Sequence, residues 1–447
     1  MIETEDWASL SEQLASRPPG RRRWARVFVP DMAVCLAVLT VFCALVFFNA
    51  PQNLFRDSET AREISSRTLL GLADRAGGLS GVAWLSLVLT GVVIWLWVRF
   101  HWASGGNFFL TLVLFVPFVW TLHDQLRATS ALFGWVFLVG FLTAFENAQA
   151  RFSWRAFVGV AIAAAVWANV DGSFLFLPVI AVLYGVTHLL RPLIWPLERK
   201  EEWKRARWFG CMGAVALAAG WMTNPHGLRL PEASGPVPLV TLGVVCVGGV
   251  LALTQSKVAH FLIIAFFACY ATPFVFLLLP MANGSITTAL RRSRNVRPQL
   301  RKRVTEFLQR SDHFRLVDAR FGGLLWTVPA AALLLGWLML PMVSARTGFP
   351  RSEFPVDAVA EFAVLPGDVR VLVPPQYADY LTYRFGGRVP VFVRSAELLP
   401  GWREEIGQYG VTHALLPTDS PMAQALEALK WKPIIEDNAS VLLRRAE

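Results

Sequence analysis

Phe55-Arg56-Asp57-Ser58-Glu59-Thr60-Ala61-Arg62-Glu63 is a charged stretch between two apolar runs, residues 30–49 and 79–98. Each run is long enough to cross a bilayer, which takes about 20 apolar residues in a helix. The stretch therefore falls in a loop, residues 50–78, that joins two expected membrane spans. A carboxylate held there, at the boundary of water and lipid, is placed to act on a molecule that arrives in the membrane. The rest of the chain is read as what positions this loop.

Working outward, 55% of the 447 residues are hydrophobic and 18 are Trp. That is more apolar than a soluble domain and points to a polytopic α-helical membrane protein. The net charge of +10 does not call for nucleic acid, because the basic residues lie in short loops between apolar runs, where they set orientation. The five cysteines, Cys35, Cys43, Cys211, Cys246 and Cys269, fall inside apolar runs without the paired spacing of a metal site or a disulfide framework. Arg21-Arg22-Arg23 precedes the first run as in a signal sequence, but no small-x-small cleavage pattern follows. The run reads as an uncleaved first span.

Residues 1–29 are polar, with a short amphipathic helix expected over Trp7–Leu14. Spans are expected near 30–49, 79–98, 106–122, 129–146, 156–170, 173–191, 208–223, 236–254 and 321–344. The run 258–290 reads either as one long span or as two short ones broken at Thr272-Pro273, since proline removes a backbone donor. With the N-terminus inside, a single span would put the basic loop Arg291–Arg320 outside. A two-helix hairpin puts it inside, leaving roughly 25 Lys and Arg inside and about 6 in the short outer loops, the direction the positive-inside rule requires. The hairpin is chosen, giving about eleven membrane segments within 30–345.

Residues 350–447 alternate β-like and helical runs, which predicts a small C-terminal α/β domain on the outer side. Strands are expected at Val369–Val373, Val389–Val393, His413–Leu416, Pro433–Glu436 and Val441–Leu443. Helices are expected at Gln376–Tyr383, Leu398–Tyr409 and Met422–Leu429. The core residues would be Val371, Leu372, Val391, Phe392, Leu415 and Leu416.

Three turns on one expected face carry the candidate chemistry. They are Arg56-Asp57-Ser58-Glu59, then Trp167-Ala168-Asn169-Val170-Asp171-Gly172-Ser173, and Asn224-Pro225-His226-Gly227. Ionisable groups at membrane depth are costly and point by default to function. The bland readings are turn chemistry for the second and third, and solvated charges or a helix cap for Asp57 and Glu59. A loop helix is expected over Thr60–Leu72. The sequence carries no Gly-x-x-x-x-Gly-Lys-Ser/Thr loop, no Gly-x-Ser-x-Gly elbow and no His-x-x-x-His pair. Asn283-Gly284-Ser285 and Asn438-Ala439-Ser440 match the N-glycosylation acceptor pattern, which is short enough to occur by chance.

The order of these parts resembles bacterial membrane proteins related to the GT-C glycosyltransferases, which take sugars from polyprenyl-phosphate donors. Trp167-Ala168-Asn169-Val170-Asp171-Gly172-Ser173-Phe174 is similar to their Trp-Ala-Asn-x-His-Gly-Ser-Phe turn, with Asp171 in place of the His. Asn224-Pro225-His226-Gly227 is similar to their Asn-Pro-aromatic-Gly turn, with His226 in place of the aromatic. The tail motifs Tyr377-Ala378-Asp379-Tyr380-Leu381 and Val391-Phe392-Val393-Arg394 fit the small domain that closes such chains.

The resemblance implies an integral-membrane glycosyltransferase of a bacterial cytoplasmic membrane. It would move a sugar from a polyprenyl-phosphate donor onto a lipid or envelope-glycan acceptor. Asp57 would be the catalytic base, with Glu59 beside it. Arg56 and Arg62 would neutralise the departing phosphate. Asn169, Asp171, Asn224 and His226 would orient acceptor or diphosphate, with room for a divalent cation. The alternative is a non-catalytic envelope protein whose outer domain binds partners. A transporter is disfavoured, because no internal repeat or mid-span charge is present and Glu146 sits at a span end.

Overall fold

The computed structural model describes residues 32–47, 54–65, 69–147, 153–224, 237–292, 298–321, 341, 347–362, 369–386 and 389–446. The expected helix at Trp7–Leu14 and nearly all of the expected span 321–344 lie outside the described residues. The chain begins with α1 (Met32–Phe47), the short loop helix α2 (Ser58–Ser65), α3 (Leu69–Ala103), α4 (Phe108–Gln125) and α5 (Ala131–Asn147). Next come α6 (Trp154–Val170), a 3₁₀ turn over Gly172–Leu175, α7 (Phe176–Ile194), α8 (Arg199–Thr223), α9 (Leu239–Thr254) and α10 (Val258–Tyr270). A second 3₁₀ segment, Thr272–Leu278, leads into α11 (Leu279–Arg292), which precedes the basic helix α12 (Pro298–Phe321).

Among the described residues, four stretches are long and apolar enough to cross a membrane: Leu69–Ala103, Phe108–Gln125, Gly172–Ile194 and Thr272–Arg292. This corrects the expected count of about eleven. Helices such as α5, α6 and α9 stop at 16 or 17 residues. At 1.5 Å rise per residue they span about 25 Å, short of a hydrocarbon core of about 30 Å. Helix α8 is longer, but its first turns carry Arg199, Lys200, Glu201, Glu202, Lys204, Arg205 and Arg207. Hydropathy windows run through turns that hydrogen bonding divides.

The break expected at Thr272-Pro273 is present, since α10 ends at Tyr270 and Pro273 lies in the 3₁₀ segment. The chain then doubles back. Gln255 Nε2, just before α10, donates to Ser285 O in α11 at 2.7 Å, and the His260 ring lies 3.4 Å from Ser285 Oγ. Residues 258–290 are thus a helical hairpin. Helix α3 absorbs the end of the first loop and turns at Gly78, whose φ of 62° favours a residue without a β-carbon.

The helices alternate in direction, so the bundle has two chemically distinct ends. One gathers the loop around Asp57, the turn 126–130 and the turn at Asp171. The other gathers Arg191, Lys204, Arg205, Lys257, Arg291 and α12. Between them lies an aromatic core, in which Trp97 stacks on Phe118 at 4.0 Å between centroids and Phe276 packs against Phe118 and Trp135.

At the basic end, buried Asn283 fastens α11 to the α3–α4 turn. Its Nδ2 faces His101 Nδ1 at 2.9 Å and Thr111 Oγ1 at 3.1 Å, and its Oδ1 accepts from Asn107 N–H at 3.0 Å. That burial removes Asn283 as a glycosylation acceptor. A buried donor or acceptor stripped of its partner costs about 1–3 kcal/mol. Asn283→Ala strips several at once, so its thermal unfolding in detergent should move well below wild type.

The C-terminal residues form α13 (Val356–Phe362), β1 (Val371–Val373), α14 (Pro375–Phe385), β2 (Val391–Val393), α15 (Trp402–Gln408), β3 (His413–Pro417), α16 (Pro421–Ala428), β4 (Lys432–Glu436) and β5 (Ser440–Arg444). The sheet order is β2-β1-β3-β5-β4, with β1 parallel to β2 and β3, and β5 antiparallel to β3 and β4. Each expected strand and helix is found within a few residues. Val371, Leu372, Leu415 and Leu416 are buried, while Val391 and Phe392 pack at the edge of the core.

This domain sits on the first loop. Phe55 meets Phe349, which packs on Phe354 and Tyr380. Tyr383 donates to Asp74 at 3.2 Å, and α14 lies along α2.

Candidate functional site

The loop enters its site through Leu54 and Phe55, both fully buried. Leu54 O accepts from Ala128 N–H at 3.0 Å, which binds the loop to the turn between α4 and α5. Helix α2 then starts, with the Asp57 carbonyl accepting from Thr60 N–H. Its buried stripe is Thr60, Ala61 and Ile64, while Glu59 and Arg62 pair on the exposed side at 3.2 Å. Glu63 stands beside the buried stripe and turns toward residue 130.

Ser130 heads α5, and Glu63 reaches it from another segment. The Ser130 N–H donates to Glu63 Oε2 at 2.5 Å, and Ser130 Oγ lies 3.0 Å from Glu63 Oε1 and 3.3 Å from Asp171 Oδ1. Asp171 ends α6 and caps the following 3₁₀ turn, accepting from Ser173 N–H at 3.1 Å and from the Ser173 hydroxyl. Trp167 Nε1 donates to Ser173 Oγ at 3.0 Å. Asp171 and Ser173 lie so close to α5 that a β-carbon on Gly134 would fall 2.4–2.5 Å from Ser173 Oγ and Asp171 Oδ2. Only glycine lets the acid turn seat there.

Ser130 Oγ has one proton and two carboxylates within reach. In its protonated form Glu63 can donate to Ser130 Oγ while its other oxygen accepts the Ser130 N–H. Burial pushes the Glu63 carboxyl up to about 7. The two Ser130 bonds pull the other way, and the charges of Glu59 and Asp171 add to the rise. Glu63 thus titrates near neutrality with the Asp171 carboxylate across Ser130 from it.

Asp57 joins the same turn from the outside. Its Oδ2 accepts from Arg127 Nε at 2.7 Å, three residues before Ser130. Asp57, Glu63 and Asp171 are therefore brought to one turn, 126–130. Arg56 pairs with Glu353 of the C-terminal region at 3.2 Å. Asn169 turns away, its amide donating to Ala165 O one turn back on its own helix. Asn224 follows α8, whose Thr223 hydroxyl reaches Ala165 O at 3.3 Å, so it lies at the same end of the bundle. His226 lies outside the described residues. Among the described residues, no cluster of three or more His, Cys, Asp or Glu side chains is placed to hold a metal ion.

The central members, Glu63 and Ser130, were absent from the sequence-derived set. A signal for Glu63 existed: Thr60, Ala61 and Ile64 repeat at helical spacing, and Glu63 is three residues beyond Thr60. Nothing local marks Ser130 or Arg127, which become functional only when distant segments meet. No family model matches the chain, and a search of curated proteins finds no relative.

Two predictions follow from the pair. The native state holds the Glu63 proton more tightly than the ordinary value of 4.5. Stability from this group is therefore present at low pH and lost as pH rises from about 4.5 to about 7, by on the order of 3 kcal/mol. Glu63→Gln mimics the neutral acid, so unfolding measured against pH should show the variant gaining on wild type across that window. A difference that stays flat with pH would contradict it. Gly134→Ala should displace Asp171 and Ser173 and destabilise by about 1–3 kcal/mol, read as a lowered midpoint of thermal unfolding.

Proposed function

We propose that this protein is an integral-membrane glycosyltransferase, similar to the GT-C enzymes, of a bacterial cytoplasmic membrane. It moves a sugar from a polyprenyl-phosphate donor to a lipid or envelope-glycan acceptor. The observation that carries this reading is the Glu63–Ser130–Asp171 arrangement at one end of an apolar helical bundle, with Arg56, Arg62 and Arg127 around it. Inverting or retaining, sugar transfer needs a group that takes the acceptor proton near neutral pH and cations that take up phosphate charge.

In the proposed step the acceptor hydroxyl oxygen attacks the anomeric carbon. The bond from that carbon to the phosphate oxygen breaks, and its electron pair leaves with the polyprenyl phosphate. Glu63, rather than Asp57, takes the acceptor proton, because a base is most effective with a pKa near the operating pH. Asp171 holds Ser130 from the other side. Asp57 holds Arg127 in place until phosphate arrives. The pairs Arg62–Glu59 and Arg56–Glu353 are exposed and so weak, which leaves both guanidinium forks free to exchange a carboxylate for phosphate.

The orientation follows from charge. Arg191, Lys204, Arg205, Lys257, Arg291 and the cations of α12 share one end of the bundle, which the positive-inside rule assigns to the cytoplasm. The acid pair and the α/β domain then lie outside, with the short helices packed among the four longer ones. A reporter fused to the C-terminus should be active only outside the cytoplasm.

Incubation of the purified protein with labelled polyprenyl-phosphate sugars tests the reaction. Glu63→Gln should lose about 10²–10⁴-fold in turnover with the fold kept. Asp57→Asn should lose much less, and kcat/KM should rise with pH through about 7 as Glu63 ionises. Undiminished transfer by Glu63→Gln ends the base assignment. No transfer by wild type from any such donor favours a non-catalytic envelope protein.

A further inference from the structure

The basic end of the bundle encloses a cavity of about 770 Å³, lined among others by Glu146, Tyr184, Arg191, Gln255, Lys257 and His260. That volume lies within the range of small-molecule sites, about 300–1,000 Å³. Lys204 and Arg205 stand at its wall. It is walled by α5, α7, α8 and the α9–α10 turn, on the side opposite Glu63.

Two carboxylates line the cavity, Glu146 and Glu201, and Glu202 lies behind its wall; each has protein partners, Glu201 pairing with Lys204. Glu146 accepts from Tyr184 OH and faces His260 Nε2 at 3.0 Å. Glu202 faces His188 Nδ1 at 2.7 Å, Arg191 Nη1 at 3.4 Å and Arg205 Nη1 at 3.3 Å. Donors are left over. Lys257 places an N–H on Ser104 O at 3.1 Å, which occupies one of an ammonium's three hydrogens. Arg191 Nε is buried and, among the described residues, makes no hydrogen bond.

One acceptor is left over as well. Gln255 is 4% exposed, its amide nitrogen is committed to Ser285 O, and its buried Oε1 has no partner among the described residues. A buried group without a partner calls for a physical explanation, and among the described residues Gln255 and Arg191 are the two of this kind that line the cavity.

We propose that this cavity binds a phosphate ester that also carries a hydroxyl group, the chemistry of a glycerophosphate headgroup or of a soluble polyol phosphate. Lys257 and Arg191 meet the phosphate oxygens, and Gln255, at the cavity wall, turns its buried Oε1 outward to accept from the hydroxyl. The site lies at the same end of the bundle as Arg291 and the basic helix α12, at the level where anionic lipid headgroups gather on a cytoplasmic face. It is independent of sugar transfer at the other end.

The test uses the full-length protein in neutral detergent. Binding is read by intrinsic tryptophan fluorescence and by the shift in unfolding temperature. One arm adds glycerol 1-phosphate, and the other adds mixed micelles of phosphatidylglycerol, with phosphatidylcholine as the comparison. Saturable binding of glycerol 1-phosphate identifies a soluble ligand. Binding of phosphatidylglycerol alone identifies a lipid headgroup. In either case Lys257→Gln and Arg191→Gln should each weaken binding at least about tenfold, and Lys257→Arg should restore most of it. Gln255→Glu, which puts a repelling charge beside the phosphate, should also weaken it. Glu63→Gln should bind as wild type. If wild type binds neither probe, or the Lys257 and Arg191 variants unfold normally and bind as wild type does, the proposal is overturned.

Discussion

Ser130 stands between two carboxylates, and the end of the bundle around Asp57 is arranged about that contact. Glu63 arrives on a loop helix, Asp171 on the turn after α6, and Ser130 at the head of α5. Each comes from a different part of the chain. Burial raises the Glu63 carboxyl to about 7, and the charges of Glu59 and Asp171 add to the rise. The same contacts tie the first loop to the bundle, so the chemistry and the architecture there rest on the same few hydrogen bonds.

Much of the architecture was legible because it depends on local pattern. The strands around Val371, His413 and Val441 alternate with helical runs in the sequence, and the sheet follows them closely. The break before Pro273 was legible because proline acts on its own backbone. The number of spans was not. Hydropathy counts apolar residues, whereas helix ends are set by caps such as Asp171 and by 3₁₀ turns, and these leave several apolar helices shorter than a bilayer is thick.

The candidate site was half legible for a related reason. Asp57 and Asp171 were marked by residue type and by their place between apolar runs, and both reach the turn 126–130. Asn169 was marked by the same reasoning but spends its amide on its own helix. Glu63 was hidden because its importance comes from burial, and burial of a carboxylate is decided by what packs over it. The cluster around Glu146 and His260 was hidden likewise, since its members are 114 residues apart and Glu146 looked like an ordinary charge at a helix end.

The clamp between the first loop and the C-terminal region has a consequence for biogenesis. Arg56 and Glu353 are 297 residues apart in the chain, and the aromatic contact of Phe55 with Phe349 spans a similar separation. The loop leaves the ribosome long before the residues that will hold it. At about 5–20 residues per second, that interval lasts roughly 15–60 seconds. Throughout it the loop helix lacks the partner that α14 later supplies. The end of the bundle that carries the first loop is thus the last part to be completed, and a chain truncated before residue 349 would leave that loop without the aromatic and α14 contacts that cover it.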